Sequence, residues 1–223
     1  MILEASGLCC SRGDFTVFSD LEFSLPRGKA LVLRGPNGSG KSTLIKSIAG
    51  LLPVRSGSLS FAGEEFTGDG DWISENICYL AHKNALKPEL TVRENIAFWA
   101  RMHGVEEGRV EQAMTSLGID RLRDQPARYL SSGQGRRTAL ARVVCHGGLV
   151  WLLDEPTVGL DQDGVQKLSQ VMTAFLDKGG LIVTATHIDL SLSSDRVLYL
   201  DMNRFSGGMS SETEDWSLSE VWS

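Results

Sequence analysis

The sequence has little of what marks several common protein classes. Cysteine occurs only at Cys9, Cys10, Cys78 and Cys145, and none of the four forms a C-x-x-C pair. Adjacent Cys9 and Cys10 are poor disulfide partners, and Cys145–His146 has no further ligand at metal spacing. A zinc ribbon or a redox motif is therefore disfavoured, and buried thiols in a reducing compartment are expected. No apolar run approaches the roughly 20 residues that span a bilayer; the run 148–153 stops at two acids. The start "MILEASGLCC" lacks a basic segment followed by a long apolar one, so it does not read as a secretory signal. Positive charge is not in excess: 22 Lys+Arg stand against 28 Asp+Glu, a net charge of −6. General binding to nucleic acid or to an anionic membrane surface is thus disfavoured. The chain is expected in the cytosol, with any membrane role exercised through a partner.

Glycine, by contrast, is abundant: 24 of 223 residues, about 11% against a usual value of about 7%. Tight turns and close backbone approaches are expected. The hydrophobic content of 42% and charged content of 22% suit a soluble globular chain, long enough for one sizeable domain or one with an inserted lobe.

Along the chain, strands are expected at 2–8, 16–25, 30–33, 58–62 and 77–81, with a turn at 26–28 and a polar, glycine-rich loop after 62 running through Asp71. Helical apolar spacing covers 42–52, 92–103, 110–117, 133–145 and 164–177, and strands return at 149–153, 181–185 and 197–200. This alternation predicts an α/β core carrying an inserted helical lobe at roughly 85–144. The main domain should cover 1–205. The remainder, 206–223, is rich in Ser and acids with Trp216 and Trp222, and reads as a disordered tail or a small cap.

"GPNGSGKST" fits G-x-x-x-x-G-K-[ST] and lies between an expected strand and an expected helix. Gly35, Pro36, Asn37, Gly38, Ser39 and Gly40 would curl backbone N–H groups around phosphate oxygens, and Lys41, Ser42 and Thr43 open the helix, whose positive end adds to the attraction. Lys41 should reach the β/γ-phosphates, and Ser42 should ligate Mg²⁺. ATP is the expected nucleotide. "LVWLLDE" is an apolar strand ending in two acids. Asp154 suits the Mg²⁺ shell, and Glu155, aimed differently by the turn, suits a general base on the attacking water.

"LSSGQGRR", residues 130–137, resembles the signature motif of ABC-type ATPases, usually written LSGGQ. "TVGLD" stands where that family has its D-loop, and "ATHIDL" places His187 at its switch histidine. The order and spacing match from about residue 2 to 200. The resemblance implies the P-loop ABC ATPase fold, with an N-terminal antiparallel β subdomain and the inserted helical lobe. It further implies a homodimer in which Ser131, Gly133, Gln134 and Asp161 of one subunit act on ATP held by the other, seated on integral membrane subunits at the cytoplasmic face of the bacterial inner membrane. In the family the substrate does not touch this subunit, and no nucleic acid is involved.

Two positions depart from the family pattern. An aromatic usually stacks on adenine near residue 12; here "CSRGDF" has Arg12, with Phe15 nearby. A guanidinium plane can stack on a base, and a solvated arginine that leaves adenine weakly held is the alternative. At the end of strand 77–81 the family usually has a glutamine that reaches Mg²⁺ and water; here it is His82, which can offer one neutral donor and one acceptor. That histidine, "SSGQGRRTALAR" and "VWLLDEPTVGLD" together resemble the ATPase subunits of the bacterial cytochrome c maturation system. These are heme exporter ATPases that drive release of a heme-loaded chaperone. The alternatives are the ATPase of a different ABC exporter, and a soluble ABC ATPase acting in cofactor assembly. A cytoplasmic segment of a membrane partner is expected to dock around residues 82–93, on Lys83, Lys87 and Glu89 beside Leu86 and Leu90.

Overall fold

The computed structural model describes residues 2–206; the expected tail with Trp216 and Trp222 lies almost wholly outside the described residues. Two β-layers are present. The strands β1 (Ile2–Arg12), β2 (Phe15–Pro26), β4 (Ser56–Phe61) and β5 (Glu64–Glu65) form an antiparallel sheet in the order β2-β1-β4-β5. The strands β3 (Ala30–Arg34), β6 (Ile77–Leu80), β7 (Val150–Asp154), β8 (Leu181–Ala185) and β9 (Val197–Asp201) form a parallel sheet in the order β6-β7-β8-β3-β9.

The parallel strands are short, apolar runs because they are covered on both faces. The side-chain alternation of β7 sorts its residues into two cores. Val150 and Leu152 join the core shared with the antiparallel sheet and α1 (Lys41–Ile48), whereas Trp151 and Leu153 join the core under the helices. Trp151 stacks on Phe175 with ring centroids 3.9 Å apart. Between β6 and β7 come α3 (Val92–Met102), α4 (Glu107–Ser116) and α5 (Ser132–His146). Thr91 and Glu94 close a reciprocal capping box at the start of α3, the arrangement that satisfies two otherwise orphaned N–H groups. The helix α6 (Gln162–Asp177) crosses from β7 to β8.

The element boundaries differ from the sequence reading in places. The helix expected over 42–52 ends at Ile48, because Gly50 takes a positive φ of 69°. The region expected as a loop through Asp71 leads into a further helix, α2 (Gly70–Asn76). Asp69 caps it by accepting from the Trp72 N–H at 3.0 Å, and Trp72 stacks on Phe66 at 4.2 Å. The helices α4, α5 and α6 begin one to three residues earlier than their apolar patterns suggested, since first turns are polar.

All five strands of the second sheet are parallel, so their C-terminal ends share one edge. The turns after β3, β6, β7 and β8 therefore emerge side by side. That edge is where ligands gather in open α/β sheets, and it carries residue 35, His82, Asp154 and His187 together.

Candidate active site

The loop after β3 holds its shape through glycines in the left-handed region: φ is 141° at Gly35, 86° at Gly38 and 94° at Gly40. At Gly40 a Cβ would also come within 2.9 Å of Val17 Cγ1, so a side chain is excluded by space as well as by backbone. Lys41 is 8% exposed, and its ammonium donates to the Gly35 carbonyl at 2.7 Å and the Pro36 carbonyl at 2.8 Å. Thr43 is buried beneath the loop, while Pro36, Asn37 and Gly38 face solvent. The Ser39 Oγ is buried without a hydrogen-bond partner in the protein, a costly arrangement unless a ligand meets it. With the free N–H groups of the first turn of α1 beside it, this concave loop suits phosphate oxygens.

Asp154 ends β7 at 3% exposure and accepts from Ser42 Oγ at 2.9 Å. Among the described residues no group of three or more His, Cys, Asp or Glu side chains could hold a metal ion unaided. One hydroxyl and one carboxylate, both hard oxygen donors, nonetheless fit Mg²⁺, which is usually bound by one or two such ligands plus substrate phosphates and water. Glu155 follows with φ 49°, left-handed backbone that a non-glycine residue rarely adopts. Its N–H is tied to the Ala185 carbonyl at 2.9 Å. The two carboxylates have different partners: Asp154 Oδ1 meets Ser42, and Glu155 Oε1 lies 3.4 Å from His187 Nε2. His187 is exposed, and the Thr157 and Thr186 hydroxyls, 3.1 Å apart, join the turns after β7 and β8.

The signature segment forms a separate block. Ser131 caps α5 by accepting from the Gln134 N–H at 3.3 Å, and Gln134 Oε1 accepts from the Ser131 N–H at 2.9 Å. A Cβ at Gly133 would lie 2.6 Å from the Gly159 carbonyl oxygen, so this glycine lets the signature and D-loop backbones touch. Asp161 caps α6 by accepting from the Gly164 N–H at 2.9 Å and also pairs with Arg137, which reaches Asp163 at 2.9 Å. Among the described residues no hydrogen bond joins Ser131, Gly133, Gln134 or Asp161 to residues 35–43 of the same chain.

His82 stands two residues beyond β6. It is exposed, and among the described residues its imidazole makes no hydrogen bond, so the structure does not tie it to Ser42 or Asp154. Arg12 and Phe15 face each other across the β1–β2 hairpin, both exposed, with Phe15 81% exposed. The register slips by one residue at Val17, a bulge that lies against Gly40 of the phosphate loop. Bulges redirect side chains beside functional sites, and this one carries the hairpin tip alongside the loop.

Sequence reasoning missed Arg136. Its guanidinium, 2% exposed, fills the space between the turns after β6 and β7. Burial pushes its pKa down to about 10, opposed by the charges of Asp154 and Glu155, so it remains a cation at neutral pH. The available signal was a charged residue set among the small, buried residues Gly135, Thr138 and Ala139 of α5. The four cysteines are all free thiols. Cys78 Sγ lies 2.9 Å from His146 Nδ1, with burial raising the thiol to about 12. The pair borders a groove of about 510 Å³ whose lining also includes Lys83, Ala85, Trp99, His103 and Arg142.

Comparison with known proteins gives a consistent result. The ABC transporter family matches residues 18–158. The protein named "Cytochrome c biogenesis ATP-binding export protein CcmA" from Paramagnetospirillum magneticum is 42% identical over 201 residues, covering 88% of this chain and 93% of the relative. The protein of the same name from Chelativorans sp. is 44% identical over 200 residues, covering 89% and 97%. Among solved structures, a dimeric ATP-binding cassette in a post-hydrolysis state, bound to ADP and Pi, superposes with a TM-score of 0.78 at 22% identity, covering 90% of this chain and 94% of that one.

Proposed function

Because the chain belongs to the ABC transporter family of ATP-hydrolysing subunits, we propose that it is the ATP-binding export subunit of a cytochrome c biogenesis system, driving release of a heme-loaded chaperone at the membrane. The observation that carries this reading is the identity of 42% and 44% to two relatives of that name over nearly their whole length.

In this reading the β- and γ-phosphates of ATP lie on the N–H groups of residues 38–43. The Lys41 ammonium exchanges the Gly35 and Pro36 carbonyls, at 2.7 and 2.8 Å, for phosphate oxygens, and the Ser39 hydroxyl gains a partner. Ser42 and Asp154, with His82 at the neighbouring strand end, would hold Mg²⁺, which supplies positive charge against the triphosphate. Glu155 takes the proton of the attacking water. His187, 3.4 Å from that carboxylate, orients it and donates towards the γ-phosphate. Arg12 and Phe15 at the hairpin tip bracket adenine.

The signature block completes the site of a second copy. Ser131, Gly133 and Gln134 present the start of α5, a helix end suited to an anion, yet no hydrogen bond among the described residues turns it to the chain's own phosphate loop. Two such chains, each giving a phosphate loop to one ATP and a signature to the other, make two equivalent composite sites. The domain spans 1–205, with the helical lobe inserted at about 85–144. Among the described residues no helix is long and apolar enough to cross a membrane, so attachment runs through integral membrane subunits. Their cytoplasmic segment seats in the groove between the two lobes, beside Lys83 and Arg142.

The test is complementation in cells that lack the native subunit. The wild-type chain should restore c-type cytochromes and co-purify with membrane proteins in mild detergent. Glu155→Gln should restore nothing and accumulate as an ATP-bound dimer. Failure of the wild-type chain to restore cytochromes would remove the biogenesis assignment; restoration by Glu155→Gln would remove Glu155 as the base.

A further inference from the structure

Among the described residues, Arg136 is the side chain whose hydrogen bonds join the turn after β6 to the turn after β7. Its Nη1 donates to the Ala81 carbonyl at 2.8 Å, the His82 carbonyl at 3.3 Å and Asn84 Oδ1 at 3.0 Å. Its Nη2 donates to the Asp154 and Glu155 carbonyls, both at 2.7 Å, and its Nε to the Pro156 carbonyl at 3.3 Å. One side of the planar fork thus holds the turn after β6, and the other holds the turn after β7. The stem is fixed in α5, five residues beyond the Ser131 cap.

From this geometry we infer that Arg136 is a positioning residue for hydrolysis: it sets the spacing of the Glu155 turn from the His82 turn and locks both to the signature helix. The inference rests on the assignment of Glu155 as the base. Three physical points support it. Glu155 occupies left-handed backbone at φ 49°, a conformation that persists only where surrounding contacts over-determine it. Two of those contacts are the Arg136 bonds to the carbonyls of residues 154 and 155, on either side of the strained φ. Next, only an arginine can make this set. Lysine has three donors on a single point and no fork, and glutamine has two donors on a shorter stem. Finally, apart from Asn84 Oδ1 the partners are backbone carbonyls, so Arg136 fixes where the chain runs and leaves the side chains of His82 and Glu155 free to meet nucleotide. Because α5 begins at the signature, any tilt of that helix moves both turns together.

Misplacement of a catalytic group by about 1 Å can cost about 100-fold in rate, whereas the phosphate loop makes no bond to Arg136 and should keep its affinity. The experiment uses the full chain. Arg136→Lys keeps the charge and most of the stem; Asn84→Ala removes one acceptor and leaves Arg136 in place. For each, one measures the melting temperature, MgATP affinity, kcat and KM. Arg136→Lys should bind MgATP within about twofold of wild type and lose at least about tenfold in kcat. Asn84→Ala should show a smaller loss in kcat with affinity unchanged. In a Glu155→Gln background, Arg136→Lys should change the residual rate little, because a residue acting through Glu155 has nothing left to position. A purely structural role would lower affinity and kcat together and would persist in that background. Wild-type kcat in Arg136→Lys, or a full further loss in the double variant, overturns the inference. Wild-type turnover in Glu155→Gln alone overturns the assignment beneath it, so the two failures are told apart. If Arg136→Lys does not fold, the kcat and affinity of Asn84→Ala decide.

Discussion

The strained backbone at Glu155 allows function and stability to be set against each other at one position. Left-handed backbone costs a residue with a Cβ roughly 1–2 kcal/mol, and Glu155 sits there at φ 49°. Glycine adopts that conformation freely but gives back about 0.4–1 kcal/mol through its extra freedom in the unfolded chain. Glu155→Gly should therefore be more stable than Glu155→Ala by about 0.5–1 kcal/mol. For a chain of this size that is a melting temperature higher by about 1–4 °C. The comparison with alanine cancels the other loss, because both variants give up the Glu155–His187 contact at 3.4 Å equally. Both keep the carbonyls that Arg136 holds. Thermal unfolding without nucleotide reads the stability, and phosphate release at saturating MgATP reads turnover. Both variants should lose about 10²- to 10⁴-fold in turnover, the usual contribution of a general base. If glycine is no more stable than alanine, the turn stores no strain. If either variant turns over near the wild-type rate, the base lies elsewhere.

Burial, with His103 next to it, lowers the His146 pKa from 6.5 to about 4, so the unfolded chain takes up a proton between those values that the native chain does not. Stability should fall as pH drops through that window, by on the order of 1 kcal/mol between about pH 7 and pH 5 after discounting for partial exposure. His146→Gln should lose less in urea midpoint over the same interval, and an equal loss would contradict the argument. If adenine stacks at the hairpin tip, Phe15→Ala should weaken ATP binding by about 1–3 kcal/mol, a value typical of base–aromatic stacking; an effect confined to Arg12→Ala would assign the stacking to the guanidinium instead. Gly133→Ala forces a Cβ to within 2.6 Å of the Gly159 carbonyl and should cost about 1–3 kcal/mol of stability as overpacking does. ATP-driven dimerisation should suffer too, and a variant with wild-type melting and dimerisation would show that the two loops separate freely.

The parts of the site that were legible in the sequence are those whose chemistry demands a local pattern. A loop that turns its N–H groups inward needs glycines at fixed offsets, and a carboxylate at the end of a buried strand shows as an apolar run closed by acids. Both patterns lie within nine or fewer consecutive residues, and the structure brings them together through Ser42 and Asp154 at 2.9 Å. Helix α2 was not legible because its signals are a single cap, Asp69, and one aromatic, Trp72, that stacks on Phe66. Seven residues give the apolar period too little length to show. Arg136 was illegible for a different reason: apart from Asn84 its partners are backbone carbonyls, 18 to 55 residues away along the chain. Every residue type carries a carbonyl, so no composition or spacing points to them. The bulge at Val17, which brings the Arg12–Phe15 tip alongside the phosphate loop, likewise depends on strand register and not on residue identity.

The neighbouring arginines of α5 divide the work of that helix. Arg137, with its ion pairs to Asp161 and Asp163, binds the signature to the D-loop, where the backbones of Gly133 and Gly159 also come together. Arg136 binds the same helix to the ends of β6 and β7. The first connection faces outward, with Asp161 and Asp163 exposed; the second is buried and made of short bonds to the main chain. Energetically they are unequal. Ion pairs with exposed carboxylates contribute little, whereas a buried guanidinium stripped of its acceptors leaves an uncompensated charge that costs far more. The helical lobe should therefore yield first on its outer, D-loop side and last at Arg136. Six residues further along α5, Arg142 Nη1 donates to the Asn84 and Ala85 carbonyls, both at 2.9 Å, so the same helix grips the turn after β6 at a second point. The helix is thus tied to the turn after β6 by two arginines and to the backbone of Glu155 by one.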